Sequence, residues 1–250
     1  MSLPAPLVRL RAHLGRDLFV LMAAVAVLHL VALITVRALH LREAAQVYDG
    51  WLALSLRNLV DGKVWTALTY VLLHDLGGIS HVLFNLLGLY FFGLPVAQSL
   101  GRRPFWKLVA VAAVVGGLLQ VAIGALLGDA GPVVGISAVT MAFLTVFAMQ
   151  RPDADIYLFF ALRVPARYLV PIVVGLDVLG ALSGSDVALF AHLGGVGAGF
   201  LCGSGWKWRV ARARVQALLG KTAVRHRPFT VIDGQGGRSG SRDWRNDKPS

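Results

Sequence analysis

The sequence predicts an all-α polytopic membrane protein of six transmembrane helices, the fourth of them short and starting inside the membrane. Three observations carry that prediction. The 250 residues are 56% hydrophobic and only 15% charged, with mean hydropathy +0.68, too few charges to clothe a soluble domain of this length. Several apolar runs reach the length of about 18 residues that reads as a membrane span. The basic residues also concentrate in alternate connections, as they do in multi-pass membrane proteins.

Taken in order, the spans fall at roughly 18–36, 78–98, 105–127, 137–150, 167–183 and 187–206. The first is flanked by Arg16 and Asp17. It is longer than a signal-peptide core and no small-x-small cleavage signal follows it, so it stays as a span. The chain therefore divides into a cytoplasmic N-terminus (1–17), a membrane domain (18–206) and a basic tail (207–250).

Orientation follows from charge. Twenty of the 24 Lys and Arg fall in the N-terminus, the 2–3 and 4–5 connections and the tail. The other four, Arg37, Arg42, Arg57 and Lys63, lie in the long 1–2 connection. The positive-inside rule then puts both termini in the cytoplasm. The net charge of +11 is explained by topology and attraction to the lipid bilayer, and no nucleic acid is needed to account for it. WKWRVARARVQALLG reads as an interfacial helix, and GQGGRSGSRDWRNDKPS as disordered. The 1–2 connection, about 37–77, carries Trp51, Leu52, Leu54, Leu56, Leu59, Val60, Val64 and Trp65. It reads either as a segment lying in the interface or as a packed outer loop. The lone Cys202 excludes an internal disulfide and a cysteine metal site, and reads as a small buried hydrophobe.

Polar groups inside a membrane are costly and face a cavity or one another. Four stand out: His81, Asn85, Ser137 and His192. Counted from the cytoplasmic helix ends, Ser137 and Asn85 lie about 20 Å up, His192 about 22 Å and His81 about 26 Å. In a hydrocarbon core about 30 Å thick all four share the outer half. Span 4 covers only about two thirds of that thickness. The preceding GDAGPVVGI is non-helical by its glycines and proline, and irregular backbone at depth lines a cavity or is buried in protein. Ser137 thus stands at an exposed helix start, beside unpaired N–H groups and the positive end of the helix dipole, a setting suited to an oxyanion. On span 6, His192, Gly195, Gly199 and Gly203 make one face whose small residues admit close approach to span 4. That approach brings the imidazole to the hydroxyl, which needs a base to become a nucleophile. His81 and Asn85 stack at i, i+4 on span 2, and both can donate to a developing negative oxygen.

HVLFN, GISA and AHLGGVGAGFLCG, in that order and on those spans, resemble the rhomboid intramembrane serine proteases over roughly residues 64–205. The resemblance implies a rhomboid-like helical bundle and a Ser-His dyad without an acidic member, Ser137 being the nucleophile and His192 the general base. It implies an oxyanion hole of His81, Asn85 and the Ser137 N–H, with Gly135 keeping the approach to the carbonyl open. It implies no metal or organic cofactor. The expected partners are single-span membrane protein substrates, cut in or near the outer leaflet after entry past span 5. The bare six-span layout suits a bacterial inner membrane. The chain departs from the family pattern at Ala138 (for the last motif glycine), at Met141 (for a tyrosine one turn after the serine) and at Trp65-Thr66 (for Trp-Arg).

The remaining polar residues have plainer readings. His74 reads as a loop or interface residue, and His29 and His40 as structural or interfacial. Asp177 in VGLDVLGAL lies about 15 Å from the cytoplasmic face. It is expected to pair with nearby backbone, a hydroxyl or water. Orienting a polar group near the site is the lesser alternative, and the resemblance does not make it a triad member. Two other functions compete with the protease: a non-catalytic rhomboid-like client-binding protein, favoured by Met141 and Thr66, and a small transporter with span 4 as a broken helix.

Overall fold

The computed structural model describes residues 5–128, 131–158, 161–184 and 188–218. The chain forms two units, Met1–Arg209 and Val210–Ser250. In the second, the described residues run to Leu218 and are helical. The tail segment GQGGRSGSRDWRNDKPS lies outside the described residues.

In the first unit, α1 (Ala5–Leu14) precedes α2 (Arg16–Ala38), which is α-helical to Ala32 and π-helical from Leu33. The long 1–2 connection holds the short helices α3 (Arg42–Val47), α4 (Leu56–Val60) and α5 (Thr66–Thr69). Next come α6 (Ser80–Leu100), α7 (Arg102–Leu127) and α8 (Ser137–Gln150). A strand pair, β1 (Asp155–Leu158) and β2 (Leu162–Pro165), leads to α9 (Leu169–Leu182) and α10 (Leu189–Leu218). Of these, α2, α6 and α7 are long and apolar enough to cross a membrane, while α8 and the stretch Leu189–Gly203 are shorter apolar helices. The protein is a membrane protein. Its helices follow the apolar segments of the sequence closely.

The β-ribbon is a departure from the all-α expectation. It pairs Asp155 with Pro165 and Ile156 with Val164 in antiparallel register. Arg163 bonds Asp155 at 2.7 Å and Arg167 bonds Asp153 at 3.1 Å. These ion pairs take up two of the three basic charges that the sequence reading used only for orientation.

The core is built around α8. All but four of its residues are buried, as expected of a helix that is apolar on every side. Phe143 stacks on Phe105 of α7 at 5.3 Å between centroids, and Phe147 meets Phe92 of α6 at 5.6 Å. At the far end Ser99 donates to Gln150 at 2.9 Å. Apolar side chains of α2, α6 and α9 point outward, among them Val27, Leu30, Phe84, Phe91, Leu179 and Leu182. In a membrane protein this is the lipid-facing surface.

The helices nearest the N-terminus of α8 touch through backbone. A Cβ on Gly195 of α10 would overlap the Ala138 carbonyl oxygen. One on Gly199 would lie 2.7 Å from Thr145 Cβ. One on Gly116 of α7 would lie 2.6 Å from Ala138 Cβ and 2.8 Å from the Ala191 oxygen, and one on Gly194 would lie 2.6 Å from Gly116 Cα. The stripe on span 6 therefore does what its spacing predicts, and α7 joins the same seam. Ala138 fits where the family pattern has glycine.

The long 1–2 connection is a packed loop, and it also exposes apolar residues. Asn58 is buried and donates to the carbonyls of Asp49 and Ala53, both at 2.9 Å. Trp65 donates to the Trp51 carbonyl at 2.8 Å and stacks on the Trp51 ring, with Lys63 Nζ 5.3 Å from that ring's centroid. Thr66 is fully buried and bonds the Lys63 carbonyl. The loop is thus anchored without an arginine at position 66. Val60 and Val64 remain exposed.

Substitutions along α10 should separate seam from surface. Gly195→Ala is expected to destabilise by about 1–3 kcal/mol through overpacking. Gly197→Ala has open space around the new methyl and should be neutral or more stable by up to about 1 kcal/mol. Thermal unfolding in detergent micelles reads both.

Candidate active site

The segment before α8 is held in place by backbone. Leu54 and Val133 exchange hydrogen bonds of 3.1 and 2.7 Å as an isolated antiparallel bridge. Gly135 N–H donates to the Tyr70 carbonyl at 3.1 Å. Gly135 sits at φ +118°, where a side chain would be strained. A Cβ there would come within 3.0 Å of the His81 ring and 3.9 Å of Ser137 Oγ. The glycine is therefore required by the chain path and by the histidine that lies over it.

Helix α8 then begins at Ser137. Its first recorded turn bond runs from Thr140 N–H to the Ile136 carbonyl at 3.0 Å, and no side chain caps the helix. The preceding N–H groups, including that of Ser137, stand free of the α-helical ladder. Ser137 itself is half-buried.

His81 and Asn85 lie on α6, facing this turn. Asn85 is buried, donates to the His81 carbonyl at 3.0 Å, and its Oδ1 lies 3.5 Å from Thr140 Oγ1. One amide hydrogen is thus committed to the helix's own backbone, leaving the second for another acceptor. Thr140 also packs its methyl where a Cβ on Gly88 would fall. It was not singled out in the sequence, although a hydroxyl three residues after Ser137 was a signal. Met141 is buried and its carbonyl accepts from Thr145 at 2.8 Å.

His192 is reached from α10. Gln120 Oε1 on α7 accepts from the N–H groups of Phe190 and Ala191 at 3.1 and 3.2 Å, satisfying the start of α10 just before the histidine. Gln120 too went unremarked in the sequence. The imidazole Nδ1 lies 2.7 Å from Asp177 Oδ2, with little exposure of either side chain. Asp177 was expected to pair with backbone, a hydroxyl or water, and the structure corrects this. Depth had been counted from the distant cytoplasmic ends. Counted outward from the short connection 183–188, the two residues sit about 7 and 5 Å down antiparallel helices, within side-chain reach. Among the described residues no hydrogen bond joins Ser137 Oγ to the His192 ring. The Gly195–Ala138 contact brings their helices together one turn or less from each.

A further histidine belongs to this region. His74, expected in a loop or interface, is completely buried. Its Nε2 lies 3.5 Å from the Ile136 N–H, and its ring is 5.1 Å from His81 and 6.2 Å from His29. Tyr48 locks its backbone, donating to the His74 carbonyl and accepting from its N–H at 2.8 Å. His29 is buried, whereas His40 is exposed at φ +51°.

The family model of the Rhomboid domain matches residues 61–208, more than half of the chain. The chain belongs to the rhomboid family. This rhomboid is 31% identical over 157 residues to a protein of Arabidopsis thaliana described as RHOMBOID-like protein 12, mitochondrial. The alignment covers 57% of the chain and 46% of that relative, so the chain spans less than half of the relative's length. The matched region contains every residue discussed above from His74 to His192, with α6 through the membrane part of α10.

Burial pushes the His74 imidazole down to about 3, and the neighbouring His81 and His29 rings push the same way. The folded protein keeps it neutral while the unfolded chain protonates near 6.5. Its contribution is therefore complete above pH 6.5 and is lost as pH falls toward 3. Stability in micelles should fall between pH 6.5 and 4 by at most about 3 kcal/mol from this group, read as a lower thermal midpoint. His74→Gln, which retains an acceptor for Ile136, should flatten that drop.

Proposed function

We propose that this rhomboid is an intramembrane serine endopeptidase that cleaves single-span membrane proteins in or near the outer leaflet. The observation that carries the proposal is the convergence at the start of α8. Ser137 stands at an uncapped helix start, the His81 ring lies over Gly135 beside it, and the small-residue seam draws the helix of His192 against Ala138. Six spans, including the short α8 and α9, complete the bundle in this reading. The plant relative is named as mitochondrial. For this chain, the bare six-span layout suits a bacterial inner membrane, and the basic connections favour both termini cytoplasmic with the tail drawn to anionic lipid.

The chemistry runs as follows. A locally unwound substrate segment enters past α9 and presents its carbonyl to Ser137. The Oγ–H proton moves to a His192 ring nitrogen as Oγ bonds the carbonyl carbon, and the carbonyl π pair becomes the oxyanion. His81, the free Asn85 amide hydrogen and the Ser137 N–H donate to it. Collapse of the oxyanion expels the amine, which takes the proton from His192. Water entering from the outer side then repeats the sequence on the acyl-enzyme and restores Ser137. The motif residues for both halves of the dyad are present, which favours an enzyme over a non-catalytic relative.

The test is cleavage of a tagged single-span reporter co-reconstituted with the protein. Ser137→Ala and His192→Ala should each lower turnover by about 10⁴-fold or more. Cleavage surviving Ser137→Ala would overturn the assignment. Asn85→Ala should lower kcat by about 10²-fold with little change in KM, read from initial rates.

A further inference from the structure

We propose that Asp177 is a positioning residue for His192, making a third member of what the sequence presents as a dyad. The inference rests on the protease reading above and adds to it. The acid acts on the base, never on the substrate.

In this role Asp177 acts as a carboxylate, which only accepts, and the hydrogen between Asp177 Oδ2 and His192 Nδ1, 2.7 Å apart, sits on Nδ1. A neutral imidazole with its proton on Nδ1 leaves the Nε2 lone pair as its base. That is the tautomer a general base toward Ser137 requires. At 2.7 Å the contact is in the range of charge-assisted bonds. As His192 takes the serine proton on Nε2, the ring becomes a cation and the same carboxylate faces it, with no atom moved.

Three further observations separate this from an incidental ion pair. A carboxylate at membrane depth is costly to keep, and this one is only 13% exposed. Among the described residues its only hydrogen-bond partner is His192. The other groups near it on α9 are apolar: Val173, Val174, Val178 and Gly180. His192 is moreover fixed from two sides. Gln120 holds the backbone just before it, and Asp177 holds its ring. With both in place, the ring has one orientation and one tautomer.

The experiment compares full-length wild type, Asp177→Asn, Asp177→Glu and Asp177→Leu in micelles. It reads reporter kinetics, the rate of fluorophosphonate labelling, thermal unfolding, and the ¹⁵N spectrum of histidine-labelled protein, with the His192 signals assigned by their loss in His192→Gln. Wild type should show His192 protonated on Nδ1. Asp177→Asn offers an amide donor to Nδ1, so the proton should move to Nε2. Its kcat should fall by about 10²–10⁴-fold with KM within about twofold, and labelling should slow in parallel. Asp177→Glu should regain the Nδ1 tautomer and part of kcat. Asp177→Leu shows what loss of the bond alone does to unfolding.

A wild-type tautomer and labelling rate in Asp177→Asn would overturn the proposal. So would a fall in kcat that tracks lost thermal stability in all three variants while the tautomer is unchanged. If wild type is neither labelled nor active, the protease reading fails by itself. The ¹⁵N comparison still decides whether Asp177 sets the imidazole.

Discussion

The whole arrangement depends on the contact of α10 and α7 with the first turn of α8. Between helices in lipid there is little hydrophobic drive, because the tails are as apolar as the side chains they would replace. Attraction comes from close packing, and close packing is greatest where no side chain intervenes. At Gly195 and Gly194 the facing atoms are backbone, and at Gly199 and Gly116 a single Cβ and a backbone oxygen share the contact. Ser137 is next to Ala138 and His192 is one turn from Gly195, so the seam that holds the bundle also sets the distance between hydroxyl and imidazole.

Polar groups around the start of α8 are held by partners inside the protein. Asn85 has the His81 carbonyl and Thr140, the start of α10 has Gln120, and His192 has Asp177. The approach to α8 is likewise pinned by Leu54, Tyr70 and His74, all from the 1–2 connection or its final turn. That loop is therefore part of the site's scaffold. Its own folding, through Asn58, Trp65 and Thr66, decides where Ser137 begins its helix.

Much of this was legible in the sequence. Apolar runs located the helices, and the glycine spacing on span 6 located the seam, because both are periodic properties of one segment. The late start of α8, at Ser137, followed from the glycines and proline of GDAGPVVGI. What escaped notice was long-range or ambiguous in type. His74 looked like a loop residue because no local pattern tells a buried imidazole from an exposed one. Gln120 and Thr140 act on helices other than their own. Asp177 was misplaced because depth was counted from the far ends, where errors accumulate. The short connection between α9 and α10 was the better ruler. The β-ribbon at 155–165 is four residues per strand, too short for alternation to stand out.

The backbone seam has a consequence for how the chain can change over generations. At an ordinary core position a lost methyl can be offset by a gained one next door, so sequences drift through paired exchanges. Glycine is already the smallest residue, so at Gly195 every substitution adds volume, and the facing atoms, the carbonyl and Cα of Ala138, are main chain that no second mutation can trim. The neighbourhood of Ser137 and His192 is therefore frozen in a way the surrounding leucines and valines are not. Variation is freer at exposed positions such as Leu179 and Leu182 of α9 and Val60 and Val64 of the 1–2 connection.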